Sequence, residues 1–338
     1  MRSIFSISHE EFIDYLNKNG FEPFRARQVF DWIYNKKVIS FENITNIPKN
    51  LKDKLREEFF IISLSEIDRK KSVDGTSKLV YKTFDNNIIE TVVIPNSIGR
   101  HTLCVSTQVG CPIGCSFCAT GLNGFKRNLS LDEMISQFYL NSDVSNIVLM
   151  GMGEPFLNPY LWDFLEILTS VKYFNFSSRS ITVSTVGIIE GIKKLALNKQ
   201  IKLAISYHSG VKETRKLLFP KVFDKIDFNL LIDSLEEYQK ITNKRITLEF
   251  LLIKGVNDNV EEAKVLLDIS KKISFNLNII PYNKHVFASY EPPLDSDIKR
   301  FISYFKGRIN YTIRKSKGQD IYGACGQLAG EKIINKLY

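Results

Sequence analysis

Four of the five cysteines fall in one stretch, CVSTQVGCPIGCSFC, from Cys104 to Cys118. Cys111, Cys115 and Cys118 are spaced C-x3-C-x2-C. Three thiolates this close can hold one metal centre, and three is one short of closing a tetrahedral zinc site or a four-iron cluster. An iron left without a protein ligand is open to a small molecule. A zinc site would need a fourth donor, and Cys104, His101 or Cys325 could be proposed for it. Structural zinc sites usually come as paired knuckles, and the sequence has no second one. The spacing, and its place after a strand, favour an open [4Fe-4S] cluster.

These residues need a frame. From Thr102 the pattern alternates between strands and helices. The strands are TLCVSTQ, NIVLMGM, SITVSTV, KLAISYH, ITLEFLLI and NLNIIPY. Helical stretches lie between them at 131–141, 160–172, 188–198, 227–241 and 258–272, with another near 295–306 and a final strand RINYTIR. Six such units predict parallel strands with right-handed crossovers, in a barrel-like or doubly wound α/β sheet. In such folds ligands sit at the C-terminal ends of the strands. Polar residues gather there: Gly153 and Glu154 in GMGEP, Ser184, the Ser206-Tyr207-His208 segment, and Asn283. Each alone is an ordinary strand end. Together they face the cysteine loop.

The N-terminal part differs. Ser8-His9-Glu10-Glu11 reads as a capping box, and the helical patterns RARQVFDWIY and KNLKDKLREEF follow. A small helical domain is predicted over 1–75. A strand-rich link follows over 76–101, with LVYKTF and IIETVVI flanking an Asp85-Asn86-Asn87 turn. The core then runs over 102–338. Glu90 lies in the alternating IIETVVI strand, where a glutamate usually faces solvent. Cys325 sits among glycines in YGACGQLAG, which predicts a mobile loop able to carry sulfur to a substrate.

With 46 Lys+Arg against 37 Asp+Glu, the formal charge is +9, which suggests a polyanionic partner. Arg69-Lys70-Lys71 and Arg314-Lys315 are candidate contacts. No apolar run approaches membrane-spanning length, and the N-terminus carries no long apolar stretch. An odd, clustered set of cysteines does not read as a secreted disulfide framework; reduced thiols in a cytoplasmic protein fit better.

C-x3-C-x2-C after the first strand of a six-unit α/β chain resembles the radical S-adenosylmethionine (SAM) superfamily. CVSTQVGCPIGCSFCATG, GMGEP, S-x-H at 206–208, IPYN and ACGQLAGE together resemble the RlmN family, over nearly the whole chain including the helical N-terminus. These are dual-specificity 23S rRNA and tRNA adenine-C2 methyltransferases. The related Cfr pattern, for C8 methylation, would favour GMGEA and CISSQCGC where this chain has GMGEP and CVSTQVGC.

The resemblance implies a partial (β/α)6 TIM-like barrel of the radical SAM type with a small N-terminal RNA-binding helical domain. It implies that Cys111, Cys115 and Cys118 bind one [4Fe-4S] cluster, whose fourth iron chelates SAM. Gly153, Glu154, Ser184, Ser206, Tyr207, His208 and Asn283 would hold SAM. Cys325 would carry the methyl group, Cys104 would resolve it through a transient disulfide, and Glu90 matches a family proton acceptor. Two SAM molecules would be used per turnover, with electrons from a flavodoxin or ferredoxin and its reductase. The partners would be 23S rRNA and tRNA, and the enzyme a cytoplasmic monomer. Position 207 is Tyr where relatives often have Leu, and the 95–100 segment differs in length. The competing expectations are a Cfr-like C8 methyltransferase and a non-catalytic zinc RNA-binding protein.

Overall fold

The computed structural model describes residues 1–96, 99–198 and 200–330. Ser97 and Ile98 of the 95–100 segment, and Glu331 of the ACGQLAGE motif, lie outside them.

The capping box at Ser8 forms as read. Ser8 Oγ accepts the Glu11 amide at 3.2 Å, and Glu11 Oε2 accepts the Ser8 amide at 2.8 Å. It starts the helix His9–Lys18, followed by Arg25–Phe30 and Lys49–Glu58. The RARQVFDWIY pattern is helical but changes winding: a π-turn takes over at Asp31–Asn35. Arg2–Ser3 pairs in parallel with Phe59–Phe60 and draws the two ends of this unit together. Phe12, Phe30 and Phe59 pack at its centre. The unit is joined to the core through Tyr139, whose hydroxyl donates to the Ile33 and Val38 carbonyls at 2.9 and 2.8 Å. One apolar cluster runs from Ile4 through the sheet to Leu328.

Among the described residues the main sheet has ten strands in unbroken chain order. Ser65–Lys71, Ser77–Lys82 and Ile88–Pro95 form an antiparallel meander that continues onto His101–Cys104. From His101–Cys104 onward every pairing is parallel, through Asn146–Leu149, Ile181–Thr185, Lys202–Ser206, Ile246–Leu252, Phe275–Pro281 and Tyr311–Ile313. Helices on the connections bury apolar residues in the same cluster as the strands. Burial on both faces explains the near-continuous apolar runs of the central strands, as in ITLEFLL. Among the described residues the first and last strands do not pair, so the sheet stays open. It must curl all the same. The strand of Ile94 and the strand Tyr311–Ile313, which Arg314 directly follows, are seven steps apart, roughly 34 Å in a flat sheet at about 4.8 Å per step. Ile94 and Arg314 both line one cavity. This is the partial barrel expected.

Several short or edge elements are not legible in the sequence. Ser65–Lys71 (SEIDRKK) is an edge strand carrying mostly charged, exposed residues, so it has no apolar alternation to read. The helix Lys212–Leu218 is short. The Gln108–Gly110 and Phe125–Asn128 ribbon brackets the cysteine loop and is defined by pairing across it.

Candidate active site

The cysteine loop leaves the sheet where His101–Cys104 ends. Its neck is the small ribbon just described. At Gly110, with φ +78°, an added Cβ would lie 2.0 Å from the Gly124 carbonyl oxygen, so a side chain would force the neck apart. Inside the loop the Ser116 amide donates to the Leu218 carbonyl at 3.0 Å, and the Ala119 amide donates to the Gly326 carbonyl at 2.8 Å. The second bond ties the cysteine loop directly to the Cys325 segment.

Cys111, Cys115 and Cys118 open onto one cavity, and Cys104 and Cys325 line the same cavity. All five cysteines of the chain therefore meet there. Burial pushes the Cys111 thiol up to about 12 against the pull of the Ile113 and Gly114 amides. Burial also raises Cys115, and repulsion from Cys118 and Cys111 raises it further. Cys118 is raised by burial and partly relieved by the Gly121 and Thr120 amides. Three dehydrated, mutually repelling sulfurs with amides aimed at them are poorly served by empty space. A cationic centre relieves all three, releasing their protons as it binds. Among the described residues no three potential ligands stand close enough to share one ion. The donor set fits a [4Fe-4S] cluster.

Around the loop stand the polar strand ends. Glu154 is buried; its amide donates to Gln108 Oε1 at 2.8 Å, and its Oε2 accepts the Val186 amide at 2.9 Å. Burial pushes its carboxyl up to about 7, although the Val186 amide, the Thr185 side chain and the Phe156 amide pull the other way. A ligand cation is the natural complement. Gly153 has φ +109°, and an added Cβ would meet Gln108 Cβ and Thr107 Oγ1 at 2.7 Å. Ser184 Oγ and Ser206 Oγ lie 3.2 Å apart across neighbouring strands. His208 is stacked on Phe219, with ring planes 6° apart. Burial, then the nearby Arg215 charge, pushes its imidazole down to about 3.

Several expected residues lie elsewhere. Tyr207 turns its ring away from the cavity into the sheet–helix layer, between Phe228 and Phe250. Asn283 holds the Cys325 segment: its Nδ2 donates to the Cys325 carbonyl at 3.0 Å, and its Oδ1 accepts from Gln319 Nε2 at 2.6 Å. Glu90 does not face solvent as strand glutamates usually do. It is 1% exposed and paired with the equally buried Lys78, Nζ to Oε1 2.9 Å.

The Cys325 segment is not a free loop either. The Gly318 amide donates to Asp74 Oδ2 at 2.8 Å, Ser72 Oγ donates to Asp320 Oδ1 at 2.6 Å, and Gln327 Nε2 donates to the Lys284 carbonyl at 3.0 Å. Cys325 itself stays exposed, at the junction of the cavity and an outer vestibule lined by Arg314, Lys315 and Lys317. Cys104 across the cavity is buried, and its thiol is pushed up to about 12 by that burial and then by Cys325. Arg314, a candidate RNA contact from the sequence, lines the cavity too, and so does Glu249, which the sequence reading does not single out. The one signal for Glu249 was a single acid inside an otherwise apolar strand, ITLEFLL.

Comparison with known proteins agrees with this arrangement. Residues 3–61 match the model of the ribosomal RNA large subunit methyltransferase N-terminal domain, and residues 105–267 match the radical SAM superfamily. A probable dual-specificity RNA methyltransferase RlmN of Clostridium novyi is 41% identical, over 99% of this chain and 100% of its own length. One from Staphylococcus aureus (strain MW2) is 39% identical, over 98% and 93%. The crystal structure of a radical SAM methyltransferase from Sphaerobacter thermophilus superposes with a TM-score of 0.91 at 36% identity, over 97% of this chain and 99% of that one. The curled parallel sheet and its cysteine loop define a radical SAM enzyme, with a [4Fe-4S] cluster and SAM as its reagents. Within that class the chain belongs to the RlmN family of RNA methyltransferases.

Proposed function

We propose that this enzyme methylates C2 of an adenosine in 23S rRNA and of the adenosine 3′ to the anticodon in tRNAs. The observation that carries the reading is the meeting of all five cysteines in one cavity, the three of the C-x3-C-x2-C loop together with Cys104 and Cys325.

Adenine C2 is an sp2 carbon with little nucleophilicity, so it cannot simply attack an electrophilic methyl group. Sulfur can. Cys111, Cys115 and Cys118 would hold the cluster, while Gly153, Glu154, Ser184, Ser206 and His208 would line the SAM site, with Tyr207 and Asn283 supporting it from behind. Bound there, the cluster and SAM supply a transferable methyl group and, on one-electron reduction, a hydrogen-abstracting 5′-deoxyadenosyl radical. Cys325 takes the methyl group, loses one hydrogen atom from it, and adds to C2 through the resulting methylene radical. The adduct gives up the C2 proton and one electron, which would return to the oxidised cluster that supplied the first electron. Cys104, as thiolate, then attacks the Cys325 sulfur. The carbon–sulfur electron pair passes to the methylene carbon, which takes a proton. Methyladenine leaves, and a Cys104–Cys325 disulfide remains for an external dithiol to reduce. Two SAM molecules are consumed, one for the methyl group and one for the radical.

The helical unit within 1–75 and the basic residues at the vestibule would bind RNA, with 76–101 linking it to the core at 102–338. The target base must leave its stack to reach Cys325, at a cost of about a few kcal/mol. Electrons would come from flavodoxin or ferredoxin with its reductase. The enzyme would act as a cytoplasmic monomer; no helix among the described residues is long and apolar enough to cross a membrane. Mass spectrometry of nucleosides from a deletion strain and its complemented partner tests the assignment. Loss and return of 2-methyladenosine is expected. 8-Methyladenosine would instead place the enzyme with the C8 methyltransferases, and no change would reject the reading.

A further inference from the structure

Two buried, oppositely charged side chains lie beneath the segment that carries Cys325. Lys78 and Glu90 occupy neighbouring antiparallel strands, Ser77–Lys82 and Ile88–Pro95, and each is 1% exposed. Neither lines the cavity. Their hydrogen bonds run to the two ends of one piece of chain. Lys78 Nζ donates to the Tyr322 carbonyl at 3.4 Å and to Glu90 Oε1 at 2.9 Å. Glu90 Oε2 accepts the Ala329 amide at 2.7 Å and the Gly330 amide at 2.9 Å. Cys325 lies between these anchors. A buried ion pair gains little net stability over apolar residues of the same volume, so stability alone is a weak reason for one here. Its hydrogen-bond directions give it a different use.

We propose that Lys78 and Glu90 are positioning residues: together they clasp both ends of the 322–330 segment and set Cys325 at the cavity mouth, and Glu90 does not itself touch the adenine. The assignment rests on the methyl-carrying role of Cys325. The antiparallel meander added to the parallel sheet thereby has a task, since it supplies both members of the clasp.

The test compares wild type, Lys78→Met, Glu90→Gln and the double variant. Lys78→Met leaves a carboxylate buried without its cation. Glu90→Gln turns an amide NH2 toward the ammonium. The double variant keeps a carbonyl oxygen for the Ala329 and Gly330 amides and buries no charge. Three readouts are used: the rate of Cys325 alkylation by iodoacetamide, located by peptide mass spectrometry; hydrogen exchange over 322–330 against that of the N-terminal helices; and 2-methyladenosine formation on RNA. Each single variant is expected to speed alkylation and local exchange roughly tenfold or more, as the loss of one partner of a buried pair implies. The double variant is expected to reverse most of both effects and to recover roughly tenfold of the methylation lost in Glu90→Gln. Glu90→Asp, which keeps both charges but withdraws from the two amides, replaces Glu90→Gln if that variant does not fold. A double variant as inactive as Glu90→Gln, with alkylation and exchange unchanged throughout, would overturn the clasp and assign Glu90 to the chemistry itself. Alkylation and exchange need no RNA, so a failure of the substrate assignment would leave them intact, whereas a failure of the clasp would leave them flat.

Discussion

His208 Nδ1 accepts the Leu251 amide at 3.0 Å. A neutral imidazole in that position carries its proton on Nε2, the nitrogen left for a ligand. Asn257 secures the geometry by donating Nδ2 to the His208 and Leu251 carbonyls at 2.7 and 2.6 Å. Burial holds the folded-state pKa near 3, below the ordinary histidine value of about 6.5. The unfolded chain therefore binds this proton more readily. Stability is full above about pH 6.5 and falls as pH drops toward 3, by up to about 1.4 kcal/mol per pH unit. In urea titrations across that window, His208→Gln should lack this component of the slope. Identical slopes would contradict the buried neutral imidazole.

Each of Cys111→Ser, Cys115→Ser and Cys118→Ser should yield protein with little iron and no visible cluster band after anaerobic reconstitution. Cys104→Ser and Cys325→Ser should reconstitute as wild type does. Iron analysis and absorption spectra separate the two groups, and a full iron complement in any of the first three would break the ligand assignment.

Gly153→Ala introduces a Cβ 2.7 Å from Thr107 Oγ1 and Gln108 Cβ, at a φ that side chains rarely adopt. Strain of about 1–3 kcal/mol is expected. It would fall on the turn that presents Glu154, so SAM affinity measured by calorimetry should drop by roughly tenfold or more. Unchanged affinity would mean that the GMGEP turn does not shape the SAM site.

Arg127 joins the Asp85 turn to the helix Leu131–Tyr139. It pairs with Asp85 at 2.7 Å and with Glu133 at 2.7 Å, and the Glu133 side chain is 0% exposed. Arg127→Met leaves that carboxylate buried without its cation and should cost about 3 kcal/mol or more in denaturant unfolding. Adding Glu133→Gln should restore part of the loss. Additive effects in the double variant would show that the pair is uncoupled.

Lys315 is exposed at the vestibule beside Cys325. RNA affinity should fall linearly on a log–log plot against salt, and Lys315→Ala should reduce the slope by about one phosphate contact. Affinity that is flat with salt would rule out the electrostatic part of RNA binding.

What could be read in advance follows from where each signal resides. The strands from Cys104 to Pro281 are apolar because they are buried on both faces, so composition alone marks them. The cysteines announce their chemistry by type and spacing. Ser65–Lys71 gives no such signal, because its edge position leaves its side chains in water. The anchors of the Cys325 segment were out of reach for another reason. Glycine flanks suggest a free loop, but besides Asn283 and Lys284 the groups that tie it down include Ser72, Asp74, Lys78 and Glu90, more than two hundred residues earlier in the chain. Nothing in its strand marks Glu90 as buried, because its cover arrives only when the C-terminal segment folds over it. Tyr207 and Asn283 were picked at the correct strand ends, yet which face a residue takes at the last turn of a strand depends on neighbours that spacing does not reveal.

On the proposed route the methyl carbon passes through the sulfur of Cys325. Incubating the protein anaerobically with RNA, reductant and SAM labelled in its methyl group, followed by tandem mass spectrometry of the peptide bearing Cys325, addresses it most directly. The account predicts label on Cys325 in the wild type and, in Cys104→Ala, RNA joined to that same residue through the labelled carbon. Labelled 2-methyladenosine produced by Cys325→Ala would contradict it.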